Sequence, residues 1–238
     1  MSFDPAFFVV FPVFVLSIVV HECAHGLAAL WCGDTTARDR GRLTLNPLPH
    51  IDPLGSLIVP GVLFLVHAPF LFGWAKPVPI NWANLRSPRN DPVKVALAGP
   101  LSNALLALAF AALARLAPDT GFFAPLRTMG IAGVVWNCAL GLFNLIPIPP
   151  LDGSWVLMRF LPLRHIIALQ HFRLLSMALI MILFASPAIS NLVLLGPLRV
   201  AVLLATPMAS ELIFHAPLRF AVHACLDLFG VPHDGALL

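Results

Sequence analysis

Long apolar runs separated by Pro, Gly and charged residues dominate the chain, and they predict membrane-spanning helices at about 6–31, 93–117, 130–158, 172–188 and 197–215. Residues 54–72 are also apolar but are broken by Pro60-Gly61, a pair that interrupts a helix and does not suit a strand interior. That stretch reads either as a full span or as a re-entrant hairpin. Positive charge discriminates between the two, because short cytoplasmic loops collect Lys and Arg. A hairpin puts Arg38, Arg40 and Arg42 on the same side as Lys76, Arg86, Arg89 and Lys94, joined by Arg159, Arg164, Arg173 and Arg219. Only Arg115, Arg127 and Arg199 then lie opposite. The hairpin gives the cleaner bias, and it predicts that loops 32–53 and 73–92 are cytoplasmic. Irregular backbone at membrane depth must be buried in protein or line a wet cavity, so the stretch should lie beside the working site.

Composition fits this reading. Of 238 residues, 59% are hydrophobic and 11% charged, against about 25% charged in a soluble domain. The expected architecture is an α-helical membrane protein of about five to six transmembrane helices, forming a single polytopic domain over residues 1–238. Its core would be 6–160, with additional helices and a tail over 161–238. The first run carries Asp4 in place of a basic leader, which predicts a retained helix rather than a signal peptide. The formal charge of +3 reflects loop topology rather than a nucleic-acid partner. Cys23, Cys32, Cys138 and Cys225 form no C-x-x-C pair and are read as small buried residues. No repeat or heptad is evident.

The chemistry is concentrated in His21-Glu22-Cys23-Ala24-His25, inside the first apolar run. At 3.6 residues per turn, positions i and i+4 share a helix face, so His21 and His25 can offer ring nitrogens to one zinc ion with Glu22 beside it as a base. Cys23 points away. Ionisable residues at membrane depth are costly and are functional candidates by default. The chain has only two glutamates, Glu22 and Glu211, and one of them lies in this pattern.

Two histidines leave a zinc site one protein ligand short. Asp152 is the best candidate, because it sits in Asn144-Leu145-Ile146-Pro147-Ile148-Pro149-Pro150-Leu151-Asp152-Gly153, whose prolines prevent a regular helix. The competing reading makes Asp152 only the N-cap of a following helix. His50 is a rival ligand and Asp52 a weaker one.

The His-Glu-x-x-His helix, Gly99-Pro100-Leu101-Ser102-Asn103 and the Asn144 to Gly153 segment together resemble the site-2 proteases, intramembrane zinc metalloproteases. The likeness runs from about residue 10 to 160 and is to the compact prokaryotic type without PDZ or cystathionine-synthase-like domains. It implies one zinc held by His21, His25 and Asp152, with Glu22 as catalytic base and Asn144 near the reacting carbonyl. It also implies a β-containing segment near the zinc, drawn from parts of 41–50 or 73–81, that aligns a substrate strand. The implied activity is hydrolysis of peptide bonds in or near transmembrane segments, in a prokaryotic inner membrane, on a transmembrane protein substrate. A metal-binding membrane transporter and a non-catalytic scaffold are the alternatives. Trp31, Trp74, Trp82 and Trp155 are read as interfacial anchors rather than site residues, and Arg89 with Asp91 as a solvated loop pair.

Overall fold

The computed structural model describes residues 6–66, 73–118, 120–162, 164–166, 169, 175–176 and 226. Three long helices form the frame: α1 (Ala6–Trp31), α4 (Asp91–Leu116) and α5 (Ala124–Asn144). Each is long and apolar enough to cross a membrane. At 1.5 Å per residue, the 26 residues of α1 and of α4 reach about 39 Å, beyond the ~30 Å hydrocarbon layer. Short helices α2 (Thr36–Asp39), α3 (Val59–Leu65) and α6 (Gly153–Met158) lie in the connections. The expected spans at 172–188 and 197–215, and the tail, fall outside the described residues.

Where lipid tails are as apolar as leucine, helices associate through close packing and polar contacts rather than through the hydrophobic effect. The core accordingly gathers small residues, Ala107, Ala111 and Ala114 from α4 with Cys138 from α5, around Val13, Phe110 and Val134. A Cβ at Gly130 would stand 2.6 Å from the Ala114 backbone nitrogen, so its absence lets α4 and α5 touch. Phe8, Phe11, Leu101 and Leu105 face outward, an apolar exterior suited to lipid.

Two expected boundaries differ. The third helix runs 124–144 rather than through 158, because Pro147, Pro149 and Pro150 cannot continue it; residues 145–152 form a turn-rich loop and α6 starts afresh at Gly153. No strand occurs among the described residues, so the β-structure expected in 41–50 or 73–81 is absent there. The reason lies in its donors. Pro77 and Pro79 have no N–H, while the N–H groups of Trp74, Lys76 and Val78 go to Gly55 O, His50 O and the Glu22 carboxylate, three partners that belong to no strand.

The stretch beginning at 53 forms a π-helical turn, Pro53–Ile58, followed by α3. Asp52 caps the turn by accepting from Leu54 N and Gly55 N. The chain is back at this turn by residue 74, where Trp74 N donates to Gly55 O at 3.1 Å and the indole covers Gly55.

Asp34, fully buried just beyond α1, ties the loops to the helix end. It accepts from Thr36 N and Oγ1, from Asn81 N at 2.7 Å and from Asn84 Nδ2 at 2.9 Å. Burial pushes its carboxyl upward, but these donors outweigh burial and hold it below the ordinary carboxylate range. Asp34→Ala would remove the acceptor shared by these part-buried donors and should destabilise the protein by about 1–3 kcal/mol, seen as a lower unfolding midpoint in detergent. Because the folded-state value is depressed, this stabilisation is complete above the ordinary carboxylate pKa and disappears as the pH falls through the lowered one. Asp91 is also buried, which corrects the expected solvated pair with Arg89: it accepts from Lys94 Nζ and Ser87 N, both at 2.8 Å, while Arg89 reaches Arg159 O.

Candidate metal centre

In α1 the i, i+4 spacing brings the His21 and His25 rings edge to face, 4.6 Å between centroids, with their Nε2 atoms 3.1 Å apart. Asp152 arrives from the loop after α5, its Oδ2 lying 3.3 Å from each Nε2. Gly153 permits the approach, because a side chain there would collide with the Leu145 carbonyl. Asp152 does occupy the N-cap position of α6, yet its side chain makes no capping hydrogen bond. It faces the histidines instead.

The polarity of the three groups is decisive. His25 Nδ1 lies 2.8 Å from Val95 O, a carbonyl that only accepts, so Nδ1 carries the proton. His21 Nδ1 lies 2.6 Å from Asn103 Oδ1. With Nδ1 taken up in this way, each ring turns its Nε2 toward the Asp152 carboxylate, whose Oδ2 is buried without a hydrogen bond. Two imidazole nitrogens and a carboxylate oxygen converging on one point form a donor set suited to a metal cation. Their separations of 3.1, 3.3 and 3.3 Å match the ~3.3 Å edge of a tetrahedron with zinc-ligand bonds of ~2.0 Å. Among the described residues, His21, His25 and Asp152 are the group able to hold a metal ion. Gly99 of α4 completes the cradle, since a Cβ there would lie 2.5 Å from His21 Cε1 and from His25 Nε2.

The centre opens into a cavity of about 570 Å³ that Glu22, Val78, Asn144 and Trp155 also line. Glu22 Oε2 accepts from Val78 N at 2.8 Å, which fixes the carboxylate against the wall. Asn144, at the end of α5, donates one amide hydrogen to Leu140 O at 2.9 Å and has a second to offer. Trp82 and Trp155, expected as interfacial anchors, stack at 4.2 Å on the cavity wall. Trp31 is exposed.

The amino-acid sequence has counterparts among known proteins. The Bacillus subtilis protein YwhC, provisionally named a zinc metalloprotease, is 38% identical over 154 residues, spanning 62% of this chain and 67% of its own. The chain belongs to this zinc metalloprotease family. Rip2 of Mycolicibacterium smegmatis, named in the same terms, is 32% identical over 64% of this chain and 57% of its own length. Rip2 of Mycobacterium tuberculosis is 29% identical over 80% and 72%. No family model and no solved structure matches.

The cluster of His21, His25 and Asp152 does not include the rival ligands. His50 is buried with Nε2 3.0 Å from Thr44 O, and Asp52 is used as a cap. Cys23 points away from the histidines, donating to the same Thr44 carbonyl at 3.1 Å. Sequence reasoning gave Asn103 no role beyond its motif and passed over Asn137 and Ser17; all three lie fully buried behind His21. Polar residues within apolar spans were the available sign, one that a search confined to ionisable residues passes over.

Proposed function

We propose that this protein is an intramembrane zinc metalloprotease of the site-2 type, hydrolysing peptide bonds in or near the transmembrane segments of membrane proteins. The observation that carries it is the convergence of His21 Nε2 and His25 Nε2, inside an apolar helix, on Asp152 Oδ2 from the loop after α5, in a metalloprotease-family chain. Zinc bound there would supply a Lewis acid for the scissile carbonyl and for the attacking water. Glu22 takes the proton of that water and hands it to the leaving amine. The free amide hydrogen of Asn144 is available to the substrate backbone or the developing oxyanion.

A helical substrate keeps its carbonyls in internal hydrogen bonds, so the cut segment must unwind before it can be attacked. The return of the chain to Gly55 at Trp74 supports a re-entrant hairpin, with loops 32–53 and 73–92 on the cytoplasmic side of a prokaryotic inner membrane. A carrier would need ionisable residues spaced along a path. Among the described residues of the three long helices, His21, Glu22 and His25 share one turn, and Asp91, Lys94, Arg115 and Arg127 stand in terminal turns.

The test is elemental analysis of the purified, detergent-solubilised chain. One zinc per chain is expected in the wild type and in His50→Ala, with loss in Asp152→Ala. A metal-free wild type after gentle purification, or zinc retained by Asp152→Ala, would sink the assignment.

A further inference from the structure

We propose that Asn103 and Asn137 act as positioning residues that hold His21 in the tautomer able to bind zinc, a role that rests on the zinc reading above. Ser17, Asn103 and Asn137, from α1, α4 and α5, are each 0% exposed and form one chain of hydrogen bonds leading to His21. Asn137 Nδ2 donates to Gly133 O and to Ser17 Oγ, both at 2.8 Å. Ser17 Oγ donates in turn to Val13 O at 2.8 Å. Asn103 Nδ2 donates to Asn137 Oδ1 at 2.9 Å, and Asn103 Oδ1 faces His21 Nδ1 at 2.6 Å.

Each orientation follows from the one before. The Gly133 and Val13 carbonyls can only accept, so Asn137 must turn its Nδ2 toward Gly133 and its Oδ1 toward Asn103. Asn103 must then answer with Nδ2, which leaves its Oδ1 for the imidazole. An acceptor at that place puts a proton on His21 Nδ1, so that the neutral ring has its lone pair on Nε2, where Asp152 and His25 converge. The relay thus carries polarity from two backbone carbonyls to a metal ligand. For His25, Val95 O does the same directly. Val95, Gly99 and Asn103 recur every four residues on one face of α4, so one helical stripe orients both rings and leaves room for them between. Groups that orient a metal-ligating histidine typically matter 10–100-fold for metal affinity.

A merely adhesive role between helices would require the hydrogen bonds but not this direction, and the tautomer separates the two. In full-length protein with 15N-labelled histidine rings, assigned against His21→Gln, His21 should carry its proton on Nδ1 both metal-free and zinc-loaded. By chelator competition, Asn103→Leu and Asn137→Leu should bind zinc about 10–100-fold more weakly. Asn103→Asp, which still accepts from Nδ1 but loses the N–H given to Asn137 Oδ1, should lose less zinc affinity than Asn103→Leu. An unprotonated His21 Nδ1 in wild type, or wild-type affinity in folded Asn137→Leu, would overturn the relay. Absence of zinc affinity in the wild type would overturn the zinc reading and the relay's role together, an outcome distinct from one confined to the variants.

Discussion

Glu22→Gln should retain one zinc per chain while cleaving a membrane substrate about 10²–10⁴-fold more slowly. The amide oxygen of the new side chain can still accept from Val78 N–H, which holds the carboxylate at 2.8 Å in the native protein, so the cavity wall keeps its place and only the capacity to take a proton is lost. The measurement is single-turnover cleavage of a single-span reporter in proteoliposomes, run beside metal analysis. Cleavage as fast as wild type would remove Glu22 from the role of base. Loss of zinc would show instead that the carboxylate helps to hold the metal.

Gly99→Ala should disturb the metal ligands with a single added methyl group. The new Cβ would meet atoms of both rings at 2.5 Å, and the Nδ1 atoms of the rings are held by Asn103 and Val95 of the same helix. Helix propensity works the other way, favouring Ala over Gly by about 1 kcal/mol in a helix interior. The two effects separate cleanly, because propensity acts on folding and the clash acts on ligand geometry. A folded variant whose zinc affinity falls at least about 10-fold, with cleavage falling alongside, is the expected result. Normal zinc affinity and normal cleavage would mean that the rings have room to move and that Gly99 is not part of the cradle.

Asp152 shows how far residue order alone could reach. Its proline-rich setting made it a candidate, but the cap reading used the same residues, and the two differ only in where the carboxylate points. The absence of a capping bond and the 3.3 Å approach to both Nε2 atoms separate them. His50 was a plausible ligand by composition, and it proves to be engaged with Thr44 O. The 73–81 segment was expected to contain strand, yet its N–H groups are taken by scattered partners, a distribution that no local pattern foretells.

Sequence by itself determined the apolar character of the long helices and the shared face of His21 and His25. Both are properties of neighbouring residues: length and hydropathy decide what can cross a membrane, and a 3.6-residue turn decides which side chains align. Tertiary structure alone decided that Asp152, 127 positions beyond His25, faces the two rings, and that Asn103, Asn137, Val95 and Gly99 set and shelter their orientation. These are contacts between helices distant in the chain, chosen by close packing and by the need to satisfy buried polar groups.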